Sequence, residues 1–221
     1  PTLDGAEQTD EWNAATEFTG WVDAVLGVAS THDTRISTGY HGERLYVRFK
    51  RPIPAIFRKQ RDLFVGSPLK IVAKTRDEDL EADDHVTVLL RSPQGNAYSL
   101  AVNGQNVRRD AKNLDTAWNG NWDVRQDWND HQWIVEFSIP LTELDPTADD
   151  GPGHGDDDGR WGINFRDASR QIEPADVVWY RDAEAPSFGR LRLGSGNHRL
   201  KLSDLGDPAN GRVAVRGSVS T

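Results

Sequence analysis

Trp118, Trp122, Trp128 and Trp133 fall within sixteen positions of one another, interleaved with Asn, Asp, Gly and Gln, and belong to a set of eight tryptophans in 221 residues. A flat amphipathic ring in a polar loop stacks on a sugar or a partner protein, whereas the same ring in a strand drives folding by burial. Sorting core rings from surface rings is therefore the functional question. A second candidate chemistry lies in two acidic stretches, Asp77, Glu78, Asp79, Glu81, Asp83 and Asp84, then Asp149, Asp150, Asp156, Asp157 and Asp158. Hard oxygen ligands gathered this closely suit calcium, with Asp83 and Asp84 as the leading pair. The alternating acid spacing and distal Glu of an EF-hand are absent, and a solvated charged loop is the competing reading.

Other chemistries find no support. Paired carboxylates could hydrolyse a glycosidic bond, but with 35 acidic side chains nothing singles out one pair. His32, His41, His85, His131, His154 and His198 are scattered, without the HExxH or HxH spacing of a metal site. No GxSxG elbow and no GxxxxGK[ST] loop is present. Zero cysteine excludes a disulfide framework, thiolate catalysis and cysteine-held zinc, and the formal charge of −9 repels nucleic-acid phosphates and anionic membranes. No apolar run reaches transmembrane length and no secretory signal stands at Pro1; because its first residues already read as structure, the chain reads as a mature or excised piece.

The elements that must position these groups are strands. In Arg44 to Lys50, Leu45, Val47 and Phe49 alternate with Arg44, Tyr46, Arg48 and Lys50, and Trp133, Val135, Phe137 and Ile139 alternate with Ile134, Glu136 and Ser138. Further strands are expected at 34–39, 69–74, 86–91, 97–102, 122–126, 161–166, 177–180, 190–193 and 212–216. Turns are expected at Ser92-Pro93-Gln94-Gly95, Asn103-Gly104 and Asn119-Gly120. A short amphipathic helix is expected from Pro54 to Phe64, and a single turn from Leu141 to Leu144 opened by Pro140. Thr147 to Gly159 reads as an acidic glycine-rich loop. Many short strands with few helices imply an all-β antiparallel sandwich of jelly-roll type, with residues 1–205 as one domain and 206–221 as its final strand or tail. In Trp161 to Arg166 the phase puts Trp161, Ile163 and Phe165 on one face, and Asn164 and Arg166 on the other as donors for sugar hydroxyls. The alternative pairs Arg166 with Asp167 or Glu136.

Several segments in order resemble the family 9 carbohydrate-binding modules. They are Leu3-Asp4-Gly5 with Glu11-Trp12 and Ala15, Leu45-Tyr46-Val47, Asp83-Asp84-His85-Val86, Tyr98 to Asn103, Trp133 to Glu136 running into Ile139-Pro140 and Leu144, Trp161 to Arg166, Trp179, and Phe188-Gly189-Arg190-Leu191. The resemblance covers roughly Leu3 to Leu193. It implies a β-sandwich, usually attached to a secreted polysaccharide-degrading enzyme, that grips a sugar chain end between two tryptophans and is stiffened by calcium. Trp179 matches one of those rings. The other ring's place holds Leu80, and two further sugar-contacting positions correspond to Thr87 and Ala101.

The expected function is thus noncatalytic binding of a carbohydrate in a secreted or periplasmic setting, with catalytic domains covalently attached in the full-length protein. Trp179 would be the platform, Trp118, Trp122 or Trp128 would substitute for the missing ring, and Asn164 and Arg166 would supply polar contacts. Trp12, Trp133 and Trp161 are expected in the core, and Trp21 is unassigned. Two alternatives stand beside this reading. One is a sandwich that has lost its sugar site and serves as spacer or protein-docking module. The other is a b-type haem sandwich; haem is not expected, because the methionine that such domains commonly use as a ligand is absent.

Overall fold

Alternating segments can bury one face only by stacking against a second sheet, and they do so here. The computed structural model describes residues 3–5, 11–13, 15–54, 68–129, 131–145, 161–171, 174–179, 188–192 and 201–202. The strands in chain order are β1 Thr16–Phe18, β2 Trp21–Asp23, β3 Ala29–Ser30, β4 Arg35–His41, β5 Arg44–Pro52, β6 His85–Arg91, β7 Ala97–Asn103, β8 Arg108–Lys112, β9 Asp123–Trp128, β10 Gln132–Pro140, β11 Trp161–Ser169, β12 Ala175–Val178, β13 Gly189–Arg192 and β14 Lys201–Leu202. One sheet has the order β1-β4-β5-β10-β9, and the other follows β3-β2-β12-β11-β6-β7-β8, with β13 pairing the first part of β11 and β14 pairing β13. All pairings are antiparallel, as expected for a sandwich. One short helix, α1 Leu141–Leu144, follows Pro140 directly, where the sequence places it. The expected helix beyond Pro54, the loop from Thr147 to Gly159, the strand Arg212 to Arg216 and the tail from Gly206 lie outside the described residues.

Inward-facing residues of the two sheets meet in one core. Leu45, Val47, Phe49, Val135, Phe137 and Ile139 come from the first sheet, and Val86, Val88, Leu90, Leu100, Ile163 and Phe165 from the second. Phe49 packs against Phe137 and Phe165, each at 5.8 Å between centroids, so the aromatic contacts bridge the sheets. Burying each such ring contributes roughly 1.5–3 kcal/mol.

The segment 69–74 is not a strand, contrary to the alternation of its residues. Its backbone donors are taken by side chains: Val72 and Ala73 N–H groups donate to Asp83, and Lys70 N–H donates to Asp84 at 2.6 Å. With its donors committed to carboxylates, the segment cannot join a ladder. Its Leu69 joins the main core, while Ala73 packs with Leu80, Ala101 and Val107 in a small separate cluster.

Lys112 to Asp115 is a two-residue turn in which Asn113 and Leu114 both have positive φ, 51° and 70°, and Leu114 is 95% exposed. A type I′ turn of this kind favours Asn-Gly, and a Cβ at the second position is strained. Leu114→Gly is expected to raise stability by about 0.5–1 kcal/mol, the strain relief outweighing glycine's added chain entropy. Denaturant unfolding measures it, and a loss of stability would show that Leu114 makes a contact worth more than the strain.

Candidate functional site

At one end of the sandwich a cleft of about 380 Å³ opens between the end of β5, the segment after β3 and the end of β11. Such a volume falls in the range of small-ligand pockets. Its lining mixes polar groups, from Ser30, Thr31, His32, Asp33, Thr34 and Asp84, with the apolar side chains of Pro52, Ile53, Pro54, Pro68 and Leu69. Beneath His32 lies Trp21, its ring edge-on at 5.7 Å and its indole N–H donating to the Thr34 carbonyl at 2.6 Å.

The polar floor is a buried charge network. Arg51 continues the inward phase of Leu45, Val47 and Phe49, and Asp167 continues that of Trp161, Ile163 and Phe165, so both charges point into the space between the sheets. There the Arg51 guanidinium donates through Nη1 to Asp84 at 2.7 Å, through Nη2 to Asp167 and to the Ala168 carbonyl, and through Nε to Asp167 at 3.3 Å. Its plane also lies over the Trp133 ring, 4.9 Å from the centroid. Asp167 further accepts the Thr34 hydroxyl at 2.6 Å and contacts His32 Nε2 at 2.9 Å. Burial pushes the Asp167 carboxyl up, but the Arg51 charge and the His32 and Thr34 contacts outweigh it and hold the group well below the usual carboxylate range. An inward-phase Arg and an inward-phase Asp are the sequence signal that could have found this network. Arg51 and Asp167 were absent from the sequence-derived candidates.

Burial sorts the tryptophans differently from the sequence reading. Trp12, Trp133 and Trp161 are buried, as expected, and so is Trp21. Trp179 is also buried, at 7% exposure, packed against Phe18 at 5.1 Å and Phe165 at 5.7 Å, so its ring belongs to the core and not to a surface platform. Its environment is tight, because a Cβ on Gly189 would come within 2.7 Å of the ring. Trp122, at 2%, stacks on Phe137 at 5.6 Å and donates to Asp110 at 3.1 Å. Trp118 is half-buried against Tyr98 and lies over Gly120. Trp128 alone of the eight is exposed, at 42%, on edge strand β9. A ring placed between two sheets stacks on neighbours, and phase alone does not distinguish that from a loop ring.

Asn164 and Arg166 do face outward from β11, but both are occupied. Asn164 is buried and its side-chain oxygen accepts from Phe165 N–H at 2.8 Å. Arg166 donates twice to Glu81, at 2.7 Å each, and to Asp176 through Nε at 2.7 Å. Its partners are therefore neither Asp167 nor Glu136, the two acids suggested by sequence proximity and strand phase. Arg170 joins the same cluster, donating to the Glu81, Ser169 and Ala175 carbonyls.

Asp83 and Asp84, the pair expected to hold calcium, accept hydrogen bonds from the chain itself. Asp83 accepts N–H bonds from Val72, Ala73 and the Asn103 amide, and Asp84 from Lys70, Arg170 and Arg51. Both residues pin the 69–84 segment to the sheet.

No family model matches the chain, and no curated protein matches it in sequence. Among solved structures it is similar to one from Bacteroides uniformis ATCC 8492 named a "putative carbohydrate-binding protein", with a TM-score of 0.52 at 11% identity over 80% of this chain and 83% of that one. The likeness shows a shared fold.

Proposed function

We propose that this chain is a noncatalytic carbohydrate-binding sandwich related to the family 9 modules, and that its sugar sits in the end cleft. The observation that carries the reading is the cleft's mixed lining, with hydroxyls, imidazole and carboxylate alongside proline, isoleucine and leucine. A pyranose ring has the matching character, with hydroxyls at its edge and C–H groups on its faces. The structural neighbour named for carbohydrate binding supports the same class. In this reading the protein serves a secreted or periplasmic glycan-degrading system and is joined to catalytic domains.

A titration of tryptophan emission and backbone amide shifts against a panel of neutral oligosaccharides tests the proposal. Binding should move the amides of residues 30–34 and perturb Trp21, which lies under His32. Thr31→Arg, at an exposed position on the cleft wall, should weaken binding by at least about tenfold with unchanged melting temperature, whereas Trp128→Ala should leave binding intact. Loss of binding in Trp128→Ala alone would move the site to the β9 edge.

One arrangement favours the spacer or docking reading instead. The positions matched to the family's sugar contacts are closed off, Trp179 by the core and Thr87 and Ala101 by burial under the 69–84 segment, while Val25, Leu26 and Val28 are exposed together at the β2–β3 turn. If no glycan in the panel shifts any amide, that reading replaces the first.

A further inference from the structure

We propose that the end cleft sorts its ligands by charge, taking amine-bearing or uncharged sugar units and rejecting carboxylated or sulfated ones. The inference rests on the carbohydrate reading and names the class of sugar within it. Arg51 is the one guanidinium among the described lining residues; it pairs with Asp84 and Asp167, and Asp33 adds a further carboxylate to the lining.

The Arg51 charge is spent internally. Its Nε, Nη1 and Nη2 all donate to Asp84, Asp167 or the Ala168 carbonyl, and the side chain is 7% exposed. An entering anion would find no guanidinium to bind. Arg170 is a neighbouring cation, and its guanidinium is turned to the Glu81, Ser169 and Ala175 carbonyls and to Asp176. His32 adds positive charge only when protonated, and its Nε2 is already directed at Asp167 and at the Thr34 hydroxyl, 3.1 Å away. Asp33 is exposed at the rim, and no cation among the described residues pairs with it. Among the described lining residues the Asp33 and Asp84 carboxylates, with Asp167 behind them, outnumber the single guanidinium, and partial exclusion of water strengthens the effect of that negative excess relative to bulk. The formal charge of −9 on the whole chain acts in the same sense.

Glucosamine, glucose and glucuronate test this directly, because they share one ring and differ in charge. At neutral pH and low salt, shifts of the amides of residues 30–34 should titrate tightest with glucosamine, then glucose, then glucuronate, with about a tenfold or larger span between the first and last. Asp33→Asn, a near-isosteric change at an exposed position, should narrow that span several-fold, and added salt should do the same. Glucuronate binding as tightly as glucosamine would overturn the charge proposal and leave the carbohydrate reading in place. Shifts elsewhere but not at 30–34, with a glycan from the neutral panel bound, would overturn the site. Absence of binding by both the panel and these three sugars would overturn the carbohydrate reading itself, and this inference with it.

Discussion

Replacing Arg51 by leucine is expected to cost the fold about 3–5 kcal/mol, enough to lower the melting temperature by about 10 °C in a domain of this size. The substitution matches the apolar phase of β5 and keeps a side chain over Trp133, so the lost packing is small. What remains is the problem of Asp84 and Asp167, which are 2% and 0% exposed at the side chain and would lose their counter-charge. A buried carboxylate without a partner is far more costly than the pair was worth. The pH dependence supplies a second readout with a definite sign. In the native protein the Asp167 carboxyl lies below its unfolded value near 3.8, so its contribution is fully present above that pH and is lost as the pH falls through the depressed folded value. In Arg51→Leu the same carboxyl rises above the unfolded value, so the variant should gain stability on moving from neutral pH toward pH 5 while the native protein does not. Chemical denaturation at several pH values measures both. A cost below 1 kcal/mol with parallel pH profiles would show that the network does not hold the two sheets.

Glu136→Ala should cost about 2–4 kcal/mol, whereas Glu136→Gln, which keeps one of the two acceptor oxygens, should cost about 1–2 kcal/mol. Glu136 faces outward from β10 yet is 1% exposed, because the N-terminal segment covers it. Its carboxylate accepts Gly5 N–H and Trp12 indole N–H, each at 3.0 Å, and Asp4 N–H at 3.3 Å; Arg48 lies over Trp12 at 4.7 Å. Alanine removes the acceptor for all three donors, and the segment loses its anchor. Glutamine keeps an acceptor oxygen and removes a buried charge. Burial raises the Glu136 carboxyl above its usual range, against the bonds from Gly5, Asp4 and Trp12 that lower it. A raised carboxyl favours folding below its unfolded value and loses that contribution as the pH rises through the folded one, opposite to Asp167. Glutamine should flatten this limb of the profile. Proteolysis near the N-terminus and thermal melts of the two variants distinguish anchoring from charge, and equal losses in both would overturn the assignment.

The early pattern of Leu3-Asp4-Gly5 followed by Trp12, and the later Trp133 to Glu136, read in sequence as two separate likenesses to one family. They are one contact. Gly5 has φ of +73° and sits where a Cβ would come within 2.7 Å of the Gln126 backbone, so only glycine brings its N–H to Glu136. Nothing in the spacing joins residue 5 to residue 136, because the contact needs the chain to fold first.

The strands with strict alternation, β5 and β10, were legible to within two residues, as were β6, β7 and α1. The short strands β1, β2 and β3, and also β8, were not. Two or three residues carry too little periodicity, and their pairing depends on a neighbour already in place.

The sequence by itself determined the two-sheet architecture, the identity of most core residues and the exclusion of cysteine chemistry, since each follows from local alternation or from composition. It placed Trp12, Trp133 and Trp161 inside, correctly, because each begins an apolar phase or packs where one begins. Only the tertiary structure decided that Trp179 and Trp122 are core rings, that Asp83 and Asp84 receive backbone donors, and that Arg51 meets Asp167 across 116 positions. Those outcomes depend on which surfaces are covered and which charges are left facing each other, and both are set by packing between distant segments.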